Sequence, residues 1–238
     1  MGAVVYPGYH RPACTEGSTI LDLPTFLTFY TAVLALQLAP GPDMVLLLSR
    51  GVGQGRRTAF LTAIGMTLLA ALVQLPLLAL GVTSLLQASP LAFDLLRWSG
   101  AAYLVWLGAK LLIGSFRGSH ALERKASKPI SDMAALRQGM INNLTNPKAM
   151  VFMLAFLPQF VDPASGWSVT AQLLFLGAVQ KLSGFVVLGG VALGTGTIGD
   201  WLARRPGLIA WQERFAGIVM VGLGLRLALG GDASAMRR

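Results

Sequence analysis

Charged residues are scarce in this chain, and cysteine and histidine are nearly absent. Only 12% of the 238 residues are Asp, Glu, Lys or Arg, against about 25% in a soluble domain. A single cysteine, Cys14, excludes an internal disulfide framework and a C-x-x-C redox pair. No apolar stretch precedes it, so a lipoprotein reading also fails. The two histidines, His10 and His120, stand in polar segments without a carboxylate or thiol cluster, so no metal site and no cofactor is implied. No nucleophile stands with a base and an orienting partner, which argues against an enzyme. Long polar loops are missing too, leaving no room for a separate soluble domain.

Apolar runs fill the space. The chain is 54% hydrophobic, and a span of about 20 apolar residues crosses a bilayer. Six such runs are expected at about 24–48, 59–82, 91–113, 133–161, 168–197 and 208–229. The formal charge of +9 could suggest nucleic acid, but its distribution argues for membrane topology. With the N-terminus outside, twelve of the nineteen Lys and Arg fall on the cytoplasmic side, notably at Arg50–Arg57, Arg117–Arg137 and Arg204–Arg205. Five fall outside, and Lys148 and Lys181 remain within spans. Aromatics do not interleave with the basic residues, so no nucleic acid partner is expected.

Two spans are broken by proline beside a charge. Ala39-Pro40-Gly41-Pro42-Asp43 interrupts the first run, and Thr145-Asn146-Pro147-Lys148 interrupts the fourth. Proline removes a backbone donor and clashes with the preceding turn. An unwound backbone is tolerated at membrane depth only inside protein or along a wet cavity. Charges at that depth point to function, and broken helices often build transporter substrate sites.

The two halves also repeat. Pro42-Asp43-Met44-Val45 stands against Pro147-Lys148-Ala149-Met150-Val151. Val73-Gln74-Leu75 answers Val179-Gln180-Lys181, and Arg97-Trp98-Ser99-Gly100 answers Arg214-Phe215-Ala216-Gly217. Leu107-Gly108-Ala109-Lys110-Leu111 answers Leu223-Gly224-Leu225-Arg226-Leu227. Three spans per half invert the second half relative to the first. The expected fold is therefore an all-α polytopic membrane protein, six transmembrane helices as a 3+3 inverted-topology repeat, with helices 1 and 4 broken at the Pro motifs. Its parts are an N-terminal tail at 1–20, a first repeat at 21–116, a basic cytoplasmic linker at 117–131, a second repeat at 132–230 and a C-terminal tail at 231–238. The first tail resembles neither a signal peptide nor a span, and reads as a disordered tail or as upstream sequence from a mis-assigned start. Hydropathy alone puts Lys148 near the cytoplasmic face, whereas the repeat puts it deeper.

Three motifs in this order, Leu38-Ala39-Pro40-Gly41-Pro42-Asp43, Gly100-Ala101-Ala102-Tyr103-Leu104-Val105-Trp106-Leu107-Gly108 and Asn143-Leu144-Thr145-Asn146-Pro147-Lys148-Ala149 followed by Phe156-Leu157-Pro158-Gln159-Phe160, resemble the LysE/RhtB family of bacterial amino-acid exporters. The resemblance covers about Leu21 to Leu229. It implies a multi-pass protein of the bacterial cytoplasmic membrane that exports amino acids or close derivatives, driven by proton motive force. Gln180-Lys181 matches no family motif.

Each candidate residue has a plainer reading beside the functional one. Pro40, Gly41 and Pro42 form either a packed kink or an unwound segment that exposes backbone to substrate. Asp43 either caps the resumed helix or binds a substrate ammonium and carries a proton. Lys148 is a permanent salt-bridge partner of Asp43, a receptor for a carboxylate, or a cation whose pairing with Asp43 changes with substrate, with Pro147 opening its helix. Asn143 and Asn146 cap that helix or donate to substrate. Gln74 and Gln180 make interhelical hydrogen bonds or line the route, and Lys181 lines a cavity or snorkels. Gly190-x-x-x-Gly194 is compatible with close helix packing. Opposite charges beside two open helix ends match a zwitterion, so the partners expected are a small zwitterionic substrate, protons and the lipid bilayer. A homo-oligomer is compatible with the sequence. The alternatives are export of another small solute, such as a cation or peptide, and a non-transporting membrane assembly partner.

Overall fold

The computed structural model describes residues 23–39, 41–88, 90–117, 129–162, 165–195 and 206–229. Both expected tails, Pro40, most of the basic linker, Arg204–Arg205, Cys14 and both histidines lie outside the described residues. Within them the chain is helical, with no strand.

Helix α1 (Leu23–Leu38) and helix α2 (Pro42–Gln54) meet at a 50° bend. Gly41 caps α2 in extended backbone, and Pro42 occupies the first turn, where its missing N–H is no loss. A single residue, Gly55, then separates α2 from α3 (Arg56–Ile64). Its φ of 90° is the left-handed conformation that glycine adopts without strain. A π-turn at Gly65–Leu69 joins α3 to α4 (Ala70–Ala88). Helix α5 spans Pro90–Arg117.

The second half begins with α6 (Asp132–Leu144), whose N-cap Ser131 accepts from Ala134 N at 3.3 Å. It stops at Thr145–Asn146 and resumes as α7 (Pro147–Val151), which passes through a π-turn at Phe152–Phe156 into a 3-10 turn at Leu157–Phe160. Helix α8 (Val169–Gly194) and helix α9 (Pro206–Leu229) complete the described fold. The buried Gln172 ties the loop before α8, donating to Asp162 O at 2.8 Å and to Trp167 O at 3.0 Å.

Arg56–Gly81, Asp94–Phe116 and Val169–Gly194 are each long and apolar enough to cross a membrane, and the bent α1–α2 pair makes a fourth candidate. Their outer faces carry Leu72, Leu80, Leu95 and Val186 in the open, each more than 60% exposed. Such apolar cladding suits lipid and is rare on a soluble monomer. Trp98, Trp106 and Trp211 are exposed as well.

A set of polar side chains is buried instead, among them Gln74, Asn143, Lys148, Gln172, Gln180 and Lys181. An aromatic core of Phe29, Phe152, Phe156, Phe160 and their neighbours fills one side of the molecule. A smaller cluster, Leu47, Ala59, Ala63, Met66, Leu188 and Ala192, fills another. Helices α3 and α6 approach most closely where glycine removes the side chain. A Cβ on Gly65 would collide with Leu136 O, and one on Gly139 with Thr62 O. Close packing at Gly190 is not found, because that residue faces open space with nothing within 4 Å. Its neighbour Gly189 is the one that turns toward Phe60. At one end of the molecule Arg57 pairs with Asp132 at 2.6 Å, and Gln54 accepts from Ile130 N at 3.0 Å.

Candidate functional site

Both proline breaks open onto one partly open cavity. Its volume is about 50 Å³, against the 10–15 Å³ or so that a single water requires. Asp43, Lys148 and Lys181 line it together with Gln37, Asn143 and Gln180. Leu36, Met44, Met66 and Leu188 supply its apolar wall. Three ionisable groups thus meet in a space with room for a few waters. A larger solute requires the surrounding helices to part.

The breaks themselves aim these groups. Asp43 sits in the first turn of α2, where the partial positive charge of the helix end favours a carboxylate. Its two oxygens accept from Asn142 Nδ2 and, at 2.9 Å, from Asn143 Nδ2, both at the carboxyl end of α6. Lys148 sits in the first turn of α7 and crosses the other way. Its ammonium donates to Leu36 O at 3.0 Å and Ala39 O at 2.8 Å, at the carboxyl end of α1. A helix leaves its last carbonyls without intrahelical partners, and a lysine is a favourable group to satisfy them. Gly41 makes room for this crossing, since a Cβ there would lie 3.1 Å from Lys148 Nζ.

The permanent Asp43–Lys148 salt bridge entertained from the sequence does not form. Among the described residues, Asp43 takes amide donors and Lys148 takes main-chain acceptors. The proximity of the two breaks brings both charges to one cavity without joining them.

Lys181, on α8, reaches the opposite wall. Its buried ammonium donates to Gln74 Oε1 and to Asn143 Oδ1, the latter at 2.9 Å. Asn143 therefore joins Lys181 to Asp43 through the two ends of one amide. Gln74 further approaches Asn143 O at 3.5 Å. Asn146, expected as a cap or a donor, caps α7 through Oδ1, which accepts from Lys148 N at 3.0 Å. Its Nδ2 is buried with no partner among the described residues. Gln180 accepts through its main-chain oxygen from Gln37 Nε2 at 2.9 Å, while its own Oε1 is buried with no partner among the described residues. Such an orphaned acceptor costs about 1–3 kcal/mol until a donor reaches it. Pro42 and Pro147 are exposed first-turn residues that set the breaks without lining the cavity.

Two participants escaped the sequence reading. Gln37 bridges α1 to α8, accepting also from Ser183 Oγ at 3.0 Å. Asn142 shares Asp43 with Asn143. The signal for Gln37 was a lone amide in an otherwise apolar stretch, and that for Asn142 was its place beside Asn143. Among the described residues no group of three or more His, Cys, Asp or Glu side chains gathers.

The LysE type translocator family matches residues 34–231 of this chain. An uncharacterized membrane protein of Vibrio cholerae is 33% identical over 210 residues, which span 87% of this chain and 98% of that protein. A leucine efflux protein of Enterobacter sp. is 29% identical over 203 residues, spanning 85% and 94% of the two chains. One of Klebsiella pneumoniae is 28% identical over 203 residues, with the same coverage. No solved structure matches.

Proposed function

The chain belongs to the LysE type translocator family, and from that premise we propose that it exports amino acids or close derivatives across the bacterial inner membrane in exchange for protons. The observation that carries the reading is the convergence of Asp43, Lys148 and Lys181 on one cavity between two helix breaks. A zwitterion presents an ammonium for Asp43 and a carboxylate for a lysine. The unpartnered Gln180 Oε1 is a second acceptor for the ammonium. Two lysines against one carboxylate make the cavity a poor host for a bare cation. The leucine efflux relatives support an amino acid as the solute.

The architecture we assign is the six-span 3+3 inverted repeat, with halves at 21–116 and 132–230. Reciprocal crossing supports it. Asp43 of the first half reaches the end of α6, and Lys148 of the second half reaches the end of α1. At the offset that pairs Asp43 with Lys148, Gln37 pairs with Asn142, and both are amides at the site. Helices α5 and α9 repeat the pattern. A Cβ on Gly108 would lie 2.7 Å from Gly217 O, and one on Gly224 would lie 2.9 Å from Ala101 O.

Alternating access then follows from chemistry at one carboxylate. Asp43 holds either the substrate ammonium or a proton, so each rearrangement of the halves carries one of the two. Amino acids preloaded into proteoliposomes should leave faster when an inward-directed proton gradient is imposed. No efflux of any of the twenty standard amino acids would overturn the proposal; efflux indifferent to the gradient would overturn the proton exchange.

The orientation has its own expected outcome. With the N-terminus outside, a cysteine replacing Arg117 or Arg137, in a Cys14→Ser background, should resist an impermeant thiol reagent in intact cells and react after permeabilisation. Labelling of intact cells would reverse the topology.

A further inference from the structure

Resting on the amino-acid reading of this cavity, we infer that its two lysines have different tasks: Lys148 is a fixed tie between the halves, and Lys181 is the exchangeable receptor for the substrate carboxylate. The difference lies in their partners. Lys148 Nζ is held by two main-chain carbonyls, Leu36 O and Ala39 O, which cannot turn away while α1 keeps its end. Withdrawing the ammonium would leave those acceptors and the charge unsatisfied together. Lys181 Nζ is held by two side-chain amide oxygens, Gln74 Oε1 and Asn143 Oδ1. Both amides can rotate, and both are neutral. A carboxylate offers the same geometry and adds an opposite charge, a Coulomb attraction that a neutral amide oxygen lacks.

Exchange at Lys181 also reaches the other end of the substrate. Asn143 loses one bond when a carboxylate takes Lys181, yet its Nδ2 still holds Asp43 Oδ2 at 2.9 Å. Carboxylate and ammonium are thus received by neighbours on one amide. Gln74 is the competitor that a ligand must displace.

The test uses purified full-length protein in detergent and sodium acetate as the minimal carboxylate, with sodium chloride as the ionic control. Acetate should raise the melting temperature of the wild type beyond the chloride control. Lys181→Gln should lose that rise, and Lys181→Arg should keep it. Lys148→Gln should melt lower but keep the rise. Gln74→Leu, by removing the competitor, should bind acetate about tenfold more tightly; this variant and Lys181→Arg carry the test if Lys181→Gln does not fold. A wild type indifferent to acetate, a Lys181→Gln protein that keeps the rise, a Lys148→Gln protein that loses it, or a Gln74→Leu protein with unchanged affinity would overturn the assignment. An acetate rise without amino-acid efflux would instead overturn the export reading and leave Lys181 as an anion receptor.

Discussion

Asp43→Asn should lower amino-acid efflux by about 100-fold while the protein still inserts. Removing one member of a buried, hydrogen-bonded charge pair costs about 2–5 kcal/mol, and each 1.4 kcal/mol is a factor of ten. Under the proposed mechanism the substrate ammonium would lose its counter-charge, and the exchanged proton its carrier. The amide that replaces the carboxylate has one acceptor oxygen for the two donors, Asn142 and Asn143, that Asp43 now satisfies. Insertion should survive because Asp43 is only half-buried and no ion pair to Lys148 depends on it. Lys148→Gln should act differently, lowering stability by freeing the Leu36 and Ala39 carbonyls. The double variant should not recover transport, since no Asp43–Lys148 ion pair exists whose loss the second change could offset. Proteoliposome efflux and detergent melting curves separate the two effects. A double variant that transports like wild type, with unchanged proton dependence, would restore the salt-bridge explanation and end the carrier role of Asp43.

The sequence exposed the positions of this site better than its bonds. Proline chemistry is local, so Pro42 and Pro147 mark the starts of α2 and α7 without any knowledge of tertiary contacts. A charge or amide in an apolar run is equally conspicuous, which is why Asp43, Gln74, Lys148, Gln180 and Lys181 could be singled out. Their partners were not conspicuous. Lys148 bonds to main-chain oxygens, and every residue has one, so the sequence offers opposite charge as the only visible match. Asn143 was read as a cap or a donor, whereas Asn146 is the cap and Asn143 links Asp43 to Lys181. That link spans three segments far apart in the chain, and no local pattern encodes it. Of the six expected spans, the three at Arg56–Gly81, Asp94–Phe116 and Val169–Gly194 and the bent α1–α2 pair were legible from hydropathy. The π-turn at Gly65–Leu69 and the one-residue turn at Gly55 were not. The first depends on the fit between α3 and α6, which is a tertiary matter.

That fit sets the other large expected effect. Gly139→Val should abolish accumulation of folded protein, whereas Gly190→Val should leave it near wild type. Both are helical glycines in an apolar chain, and the motif Gly190-x-x-x-Gly194 drew attention to the wrong one. At Gly139 a Cβ would sit inside van der Waals contact of Thr62 O and 3.1 Å from Met66 N. Both obstacles belong to the backbone, so no side chain can turn aside. The helices themselves must separate, and Gly65 on the facing helix makes the reciprocal approach to Leu136 O and Met140 N. Overpacking a core that can adjust costs about 1–3 kcal/mol, and a contact against backbone should exceed that range. The same contact positions the cavity, because Met66 and Thr67 of the π-turn and Asn143 at the end of α6 all line it. At Gly190 a Cβ meets nothing within 4 Å, and valine is tolerated by a helix face directed to lipid. Size-exclusion profiles of the two variants in detergent make the comparison. A Gly139→Val protein that elutes as a folded species in wild-type amount would show that α3 and α6 do not meet as described, and the placement of Asn143 beside Asp43 and Lys181 would fall with them.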